Sequence, residues 1–446
     1  MYDIGIDNVV IISKNFGWEP FRGSVRVSGG KIAEVCRAQN GSPNGAPAPK
    51  GECAEWIDGG GKILMPGLVN CHCHGDMTLA RGLGDGMTLL EQIEAFRSHN
   101  WFYQFITDDD RYYARQLAYC ESLLAGVTFI CENMYWSLGS RSVQAMKETG
   151  IKGALVEDIR FDFADSDSLL SDQALGEFSA FCRESGIVPV IGLPAEEDWE
   201  TGRLQKMYNK LENINAMQTL HLAENAWRVN IIKEKYGVTP IEYLAREGLL
   251  HDRLIGSHVV CAAENEIRLL KESNVKVANT PLCEMKIADG VAPIPEMVKQ
   301  GLTVGLGTDG ALWNNSNDIF REMKGMALVH TAAAGIRSLS AKNILDMATV
   351  GGAAVFGREN EFGMIKEGMS ADIILINVDK PHMQPLLLGE HENVTSAAVF
   401  SATGADVTDV FVNGNRVVKG GALTTVDVPA LCARVRQAAE KIAVSL

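Results

Sequence analysis

The chain has 446 residues, 46% hydrophobic and 22% charged, a globular composition sufficient for one large domain and a smaller one. Its formal net charge of −15 argues against a nucleic-acid partner, because phosphate binding needs clustered Lys and Arg. No segment approaches the roughly 18 apolar residues of a membrane span, and the N-terminus does not resemble a secretory signal. We therefore expect a cytoplasmic protein without membrane contact, whose ten cysteines are free thiols.

The N-terminal segment predicts a small β unit. The runs "NVVIISK" and "GSVRVSGGKIAEV" alternate apolar and polar residues around glycine turns. The stretch "AQNGSPNGAPAPKGE", residues 38–52, has the Gly, Pro and Asn content of a loop. We assign residues 1–62 to the N-terminal part of a β-sandwich.

From residue 63 to 360, short apolar runs alternate with amphipathic helical stretches. The runs are "ILMPGLVNCHCH", "VTFICEN", "KGALVEDI", "VPVIGLP", "AMQTLHLAE", "RLIGSHVV", "KVANTP" and "TVGLGTDG". Eight strands alternating with helices predict a (β/α)8 barrel of the TIM type. A doubly wound open sheet is the alternative, but no GxGxxG motif opens a helix after a strand.

Beyond residue 360 the pattern returns to short β-prone runs. "ADIILINV", "AAVF" and "VTDVFVNGNRVVKGG" are separated by turns, and "VNGN" is typical of a hairpin. We expect residues 361–446 to supply the C-terminal part of the β-sandwich and a terminal helix. The two ends of the chain then build one composite sandwich beside the barrel.

The motif "VNCHCHGDMT" places four metal-binding residue types in succession. If Leu64 to His74 forms the first barrel strand, alternation puts His72 and His74 on one face and Cys71 and Cys73 on the other. The motif stands where the strand ends, so the histidines are the better candidates for the mouth of the barrel. An HxH pair alone is weak evidence for a metal site.

Further polar residues stand at the ends of other predicted strands. His221 ends "TLHL" with Glu224 just beyond it, His258 ends "IGSH", and Asp309 ends "GLGTD". The C-terminal ends of TIM-barrel strands meet at one face, so these side chains are expected to converge. Three imidazoles and a carboxylate suit one divalent metal, zinc in the first place and iron as the alternative.

The quoted motifs resemble the amidohydrolase superfamily. "PGLVNCHCHGDMTLARGL", "HLAEN", "GSHVVCAAENEI", "NTPLCEMKIADGVAPIPEMVKQGLTVGLGTDG" and "NNSNDIFREMK" are similar to the branch of S-adenosylhomocysteine and methylthioadenosine deaminases, guanine and cytosine deaminases and triazine hydrolases. The resemblance covers nearly the whole chain, including "EGMSADIILI" at the return into the sandwich.

The resemblance implies one metal and two groups of active residues. It implies metal binding by His72, His74, His221 and Asp309, and catalysis by Glu224, His258 and Asp309. Binuclear relatives carry a lysine on the fourth strand, whereas "VPVIGLP" has none. Relatives are often dimers or tetramers, so a homo-oligomer is expected by analogy.

The substrate-binding positions depart from the nucleoside deaminases of this branch. "GLPAEEDWETG" replaces a His-Ser-Pro-Tyr type motif, and Asn279 stands where a histidine is frequent. Gln104 replaces a ribose-binding glutamate, and Glu157 replaces an arginine. Trp199 is available to stack on a flat ring.

These features predict a metal-dependent aminohydrolase that uses a metal-bound hydroxide. Its expected substrate is a small planar nitrogen heterocycle or amidine-like compound, neutral or cationic because acidic residues surround Trp199. The alternatives are an S-adenosylhomocysteine or methylthioadenosine deaminase, or a triazine-type hydrolase that releases chloride or an amine. A metal-free scaffold is disfavoured because every expected ligand is present.

Overall fold

The structure is a computed structural model that describes residues 1–38, 53–96, 104–133, 139–160 and 167–445. The loop expected at residues 38–52 lies outside the described part except for Ala38. Within the described ranges, no helix combines the length and apolar character needed to cross a bilayer.

A parallel sheet forms the centre of the molecule. Its strands, here called barrel strands one to eight, are Leu68–His74, Val127–Asn133, Lys152–Asp158, Val188–Gly192, Met217–Leu222, Leu254–His258, Lys276–Asn279, and Thr303–Leu306 with its continuation Asp309–Gly310. Strand eight pairs with strand seven through its first part and with strand one through its second part. The sheet therefore closes on itself, and the predicted (β/α)8 barrel is confirmed.

Gly67 separates the barrel from the strand that precedes it. The expected single strand from Leu64 to His74 is wrong in this detail, because Lys62–Pro66 pairs in the other sheet and the chain enters the barrel only at Leu68. A β-carbon at Gly67 would lie 2.2 Å from the hydroxyl oxygen of Thr128. Only glycine allows the chain to pass this close to barrel strand two as it crosses between the sheets.

The two ends of the chain build one mixed sheet. Its strands are Tyr2–Ile11, Phe21–Ser28, Lys31–Arg37, Cys53–Asp58, Lys62–Pro66, Ile373–Asn377, Val407–Val412, Asn415–Lys419 and Ala422–Leu423. Lys62–Pro66 joins the halves, since it pairs parallel with Tyr2–Ile11 and antiparallel with Ile373–Asn377. Alternate residues such as Ile6, Val25 and Ile373 form a separate buried core, so the composite β unit expected from the sequence is present.

Helices follow the barrel strands and cover the outside of the barrel. The α-helices are Leu89–Phe96, Asp108–Leu124, Gly139–Thr149, Asp172–Glu184, Thr201–Leu211, Ala226–Tyr236, Pro240–Arg246, Glu264–Glu272, Pro281–Lys286, Ile294–Lys299, Ala311–Asn314, Ile319–Ala334, Ala341–Ala348, Val350–Val355, Val394–Ser396 and Val428–Ser445. Several begin at a side-chain cap, such as Thr107, which exchanges hydrogen bonds with Asp110 in a capping box.

A buried ion network fixes the helix Asp108–Leu124 beneath barrel strand one. Arg115 lies 2.9 Å from Asp76 and 3.4 Å from Glu132, and all three side chains are fully buried. Arg111 adds a second contact to Asp76 at 3.0 Å. The carboxylate of Glu132 also accepts the backbone N–H of Gly75, the residue after His74. The network therefore holds the end of the HxH strand.

We expect Arg115→Met to lower the free energy of unfolding by about 3–5 kcal/mol, because two buried carboxylates lose a partner. Urea unfolding measures the change. Arg81→Met is the matched control: Arg81 pairs with Glu121 at 2.6 Å, but both side chains are about a third exposed, so its loss costs about 1 kcal/mol or less. Equal effects of the two substitutions would contradict a stabilising role for the network.

Candidate active site

Four histidines and one aspartate meet at the C-terminal face of the barrel. His72 and His74 come from strand one, His221 from strand five, His258 from strand six and Asp309 from strand eight. The Nε2 atoms of His72 and His74 each lie 3.6 Å from Oδ1 of Asp309. The ring of His72 is 5.1 Å from the rings of both His221 and His258. The structure thus brings together all five side chains that the sequence placed at strand ends.

Strand alternation separates the histidines of the HxH motif from its cysteines. Nδ1 of His72 is held by Asn133 at 3.0 Å and Ser257 at 3.1 Å, and its Nε2 faces the cluster. The thiols point elsewhere: Sγ of Cys71 lies 3.7 Å from the carbonyl oxygen of Gly352, and Sγ of Cys73 lies 3.4 Å from Oδ1 of Asn317. The imidazoles therefore face the cluster and the thiols pack around it.

The position of Asp309 depends on a nearby glycine, Gly307, and on a strained backbone at Asp309 itself. A β-carbon at Gly307 would lie 2.8 Å from the backbone nitrogen of His72, so only glycine fits against strand one there. Asp309 itself has φ +64, an unfavourable value for a residue with a side chain. Its Oδ2 accepts a hydrogen bond from the Cys283 thiol at 2.9 Å, which leaves Oδ1 toward His72.

Burial determines the charges within the cluster. It lowers the pKa of His72, His74 and His221 below the ordinary value for histidine, so these rings are neutral at pH 7. Burial also acts to raise the pKa of the Asp309 carboxyl, but His72, His258 and His74 outweigh it and the pKa is lowered. Neutral imidazoles beside a carboxylate are the ligand forms that a divalent cation requires.

Glu224 lies beside the cluster and is held by an arginine. The guanidinium of Arg228, one helical turn along the chain, contacts its carboxylate. The same guanidinium forms a two-pronged interaction with Glu197 at 2.7 and 2.8 Å. Oε1 of Glu224 lies 3.9 Å from Nε2 of His258. Glu224 is therefore fixed between a cation and an imidazole at the cavity wall.

His258 has an imidazole with opposing influences on its charge. Burial alone would lower its pKa, but Glu224, Glu284 and Asp309 outweigh burial and raise the pKa to about 10. Its backbone has φ +70, a strained value of the kind that concentrates at active sites. Its Nε2 is buried and has no hydrogen-bond partner among the described residues.

The cluster opens into a cavity of about 210 Å³. The residues that matter for its charge are the carboxylates Asp158, Glu197, Asp198, Glu224 and Asp309, the arginines Arg160 and Arg228, and the imidazoles His74 and His221. Arg160 pairs with Asp198 at 2.8 Å, as Arg228 pairs with Glu197. Carboxylates thus outnumber guanidinium groups around the described part of the cavity.

The four predicted substrate-binding residues do not line this cavity in the described part of the chain. Trp199 is buried, donates its indole N–H to the Pro194 carbonyl and packs its ring on Tyr243, so its stacking on a substrate stays a prediction. Glu157 points to the outer face of its strand, and the adjacent Asp158 lines the cavity instead. Gln104 is exposed to solvent.

Asn279 is likewise buried behind the site rather than in it. Its amide nitrogen donates to the carbonyl oxygen of His258 at 3.1 Å and to both carboxylate oxygens of Glu284 at 2.8 and 2.9 Å. It therefore braces strand six against the segment that follows strand seven, and it does not contact the cavity.

Sequence reasoning did not assign site roles to several residues that line the cavity. Asn133 ends barrel strand two, and Asp158 ends strand three. The strand-end rule that identified the histidines applies to both. Arg228 lies in the first turn of the helix Ala226–Tyr236, just after Glu224, and a basic residue at that distance from the predicted acid was the available signal.

Comparison with known proteins agrees with this arrangement. Residues 63–417 match the model of the amidohydrolase family. A 5-methylthioadenosine/S-adenosylhomocysteine deaminase of Desulforudis audaxviator is 33% identical over 429 residues, covering 95% of each chain. A 5'-deoxyadenosine deaminase of Methanocaldococcus jannaschii is 31% identical over 424 residues, covering 94% of this chain and 96% of the relative.

Solved structures show the same fold. An adenosine deaminase from Xanthomonas campestris with bound zinc superimposes with a TM-score of 0.88 at 26% identity and covers 99% of both chains. An atrazine chlorohydrolase from Arthrobacter aurescens in complex with zinc gives a TM-score of 0.85 at 21% identity, covering 98% of this chain and all of the relative. With its barrel, its composite β unit and its strand-end histidines, the chain belongs to the amidohydrolase family.

Proposed function

We propose that the protein is a metal-dependent deaminase that replaces the amino group of a planar nitrogen heterocycle by oxygen. The observation that carries this proposal is the convergence of neutral histidines and Asp309 beside Glu224 at the mouth of the barrel. Neutral imidazoles with a carboxylate are a metal-binding set, and an adjacent acid is what replacement of a ring amino group requires.

His72, His74, His221 and Asp309 would hold one divalent metal. Zinc fits this set of nitrogen and oxygen donors best, with iron as the alternative. Two observations support the fit. Nε2 of His72 is buried without a hydrogen-bond partner among the described residues, and one donor atom each of His72, His74 and Asp309 lies within 4.8 Å of the others. The solved adenosine deaminase with the same fold contains zinc.

The metal, when bound, supplies a nucleophile at neutral pH, because it lowers the pKa of a water from about 15.7 to about 7. The protein side chains handle the protons and the charge. Glu224 accepts one proton of the attacking water and gives it to a ring nitrogen, which makes the adjacent carbon electrophilic. Asp309 accepts the second proton from the added oxygen, and this proton passes through Glu224 to the leaving amino group. Nε2 of His258 stabilises the negative charge that develops on the incoming oxygen. The carbon–nitrogen bond breaks and ammonia leaves.

The relatives favour an adenine ring as the heterocycle. Two of them are named for deamination of adenosine derivatives that are modified at the 5' position. Of the sequence departures from the nucleoside deaminases, Gln104, Glu157 and Asn279 do not line the described cavity, whereas the segment that replaces the His-Ser-Pro-Tyr type motif does. A small neutral or cationic heterocycle without a ribose is the second candidate, because carboxylates outnumber arginines there.

We expect His221→Ala to lose the metal, because one of the four ligands is removed. Cys71→Ala is the matched control, since the Cys71 thiol packs near the Gly352 carbonyl and away from the cluster. Metal content per chain, measured after dialysis, should be close to one in wild type and the control and close to zero in His221→Ala. Two metals per wild-type chain, or loss of metal in a folded Cys71→Ala, would contradict the assigned ligands.

We expect Glu224→Gln to retain the metal and to reduce kcat by a factor on the order of 10² or more, because the side chain can no longer transfer a proton. Glu200→Gln serves as the control, since Glu200 is an exposed residue outside the cavity lining. Steady-state ammonia release gives the rates. Near-normal turnover by a metal-loaded Glu224→Gln enzyme would remove Glu224 from the mechanism.

Adenosine derivatives should be the best substrates in a screen for ammonia release. The panel contains 5'-methylthioadenosine, S-adenosylhomocysteine and 5'-deoxyadenosine, together with amino-substituted purines, pterins, pyrimidines and triazines. Adenosine 5'-phosphate should have a kcat/KM about tenfold or more below adenosine, because the carboxylates repel its charge. If the best substrate lacks a ribose, the second candidate is favoured. If no compound in the panel releases ammonia, the proposal of deamination is wrong.

A further inference from the structure

A buried hydrogen-bonded chain lies behind His258, on the side away from the cavity. Nδ1 of His258 is 2.9 Å from the Thr280 hydroxyl oxygen, and this hydroxyl is 3.2 Å from Oε1 of Glu284. The three side chains are almost completely buried. Oε1 of Glu284 also lies 3.5 Å from Nδ1 of His258, within range of a direct charge interaction.

The other neighbours of Glu284 fix the direction of these hydrogen bonds. The Asn279 side-chain nitrogen and the Thr280 backbone N–H both donate to its carboxylate. A carboxylate only accepts hydrogen bonds, so the Thr280 hydroxyl donates its proton to Glu284. The hydroxyl oxygen then accepts from His258, which requires a proton on Nδ1.

The opposite ring nitrogen faces the site. Nε2 of His258 has no hydrogen-bond partner among the described residues and lies 3.9 Å from Glu224. The ring also stacks on His221 with centroids 5.3 Å apart, which restricts its rotation. A ring anchored through Nδ1 therefore presents Nε2 to the reacting atoms in one orientation.

We propose that Thr280 and Glu284 are positioning residues that keep a proton on Nδ1 of His258 and direct Nε2 toward the reaction centre. This inference rests on the proposed function, because it assigns to His258 a role in that reaction. In other sites a carboxylate accepts the ring N–H of a functional histidine and fixes the orientation of the ring; the chain Glu284–Thr280–His258 is similar, with a hydroxyl between the carboxylate and the ring.

A purely structural explanation exists and predicts different behaviour. Glu284 also accepts the Thr280 backbone N–H at the start of the helix Pro281–Lys286, so it contributes to the beginning of that helix. Loss of a helix start would lower the free energy of unfolding, and Thr280→Val keeps that start because the backbone N–H of residue 280 still donates to Glu284. Loss of the anchor at Nδ1 would lower the kcat of the folded enzyme with KM little changed, because the substrate still binds.

The test compares substitutions of Thr280 that differ only in the hydroxyl. Thr280→Val has nearly the same shape but no hydroxyl, and Thr280→Ser restores the hydroxyl. We expect Thr280→Val and Glu284→Gln to lower kcat about 10- to 100-fold, with KM unchanged within about twofold, and Thr280→Ser to stay near wild type. Equal kcat for Thr280→Val and wild type, or failure of Thr280→Ser to restore kcat in a folded protein, would overturn the inference.

A double substitution separates this inference from the proposed function. If Thr280 acts through His258, adding Thr280→Val to His258→Gln should cause no further loss of kcat. If Thr280→Val lowers kcat as much in the His258→Gln background as it does in wild type, Thr280 acts elsewhere. Full activity of His258→Gln alone would remove His258 from the reaction, and thereby contradict the proposed function at that residue.

The proton on Nδ1 of His258 can be observed without metal or turnover. Long-range proton–nitrogen correlation spectra of protein labelled in its nine histidines report which ring nitrogen is protonated. The His258 signals are identified by their absence in His258→Gln. We expect a proton on Nδ1 in wild type and in Thr280→Ser. A proton confined to Nε2 in wild type would overturn the inference, whatever the kinetic results.

Discussion

Closure of the barrel between strands one and eight is the constraint on which the site depends. Asp309 pairs with Cys73 across this seam, and that pairing brings its carboxylate to the two histidines of strand one. The seam closes only because Gly307 has no side chain, since a β-carbon there would overlap the backbone of His72. The donor cluster is therefore a consequence of how the sheet closes, and a flat sheet with the same residues would not assemble it.

Around the seam, the protein stabilises buried charges in pairs. Arg115 offsets Asp76 and Glu132 beneath strand one, and Arg228 offsets Glu197 and Glu224 at the cavity wall. Pairs of this kind add little to stability compared with apolar packing, but breaking one leaves an uncompensated buried charge. Their benefit here is orientation, because a carboxylate held by a fixed guanidinium cannot rotate away from the place where it must act.

The fold and the convergence of the strand-end side chains could be predicted from the sequence for one physical reason. Histidines and acids at the ends of parallel strands have few structural uses, and the barrel brings all such ends to one face. The strand-end positions of His221, His258 and Asp309, with Glu224 just beyond, are recognisable in the sequence in this way. The break at Gly67 could not, because apolar residues continue on both sides of it, from Ile63 to Met65 and from Leu68 to Val69.

The residues around the substrate were harder to predict because they depend on orientation and not on position along the chain. Glu157 and Asp158 are adjacent, yet only Asp158 faces the cavity, and a barrel strand buried on both faces lacks the alternation that would distinguish them. Trp199 lies in the segment after strand four, whose path is set by packing against Tyr243.

The same difference explains why the chemistry is easier to assign than the substrate. The strand-end histidines and Asp309 are positioned by backbone hydrogen bonds of the barrel, which allow few alternatives. The cavity wall is built from paired charges such as Arg160 with Asp198, whose balance can change with a single substitution while the barrel stays the same. Relatives with this fold are accordingly named for adenosine derivatives in one case and for atrazine in another. The ion pairs at the cavity wall are therefore the part of this site that can vary while the barrel and its strand-end side chains stay in place.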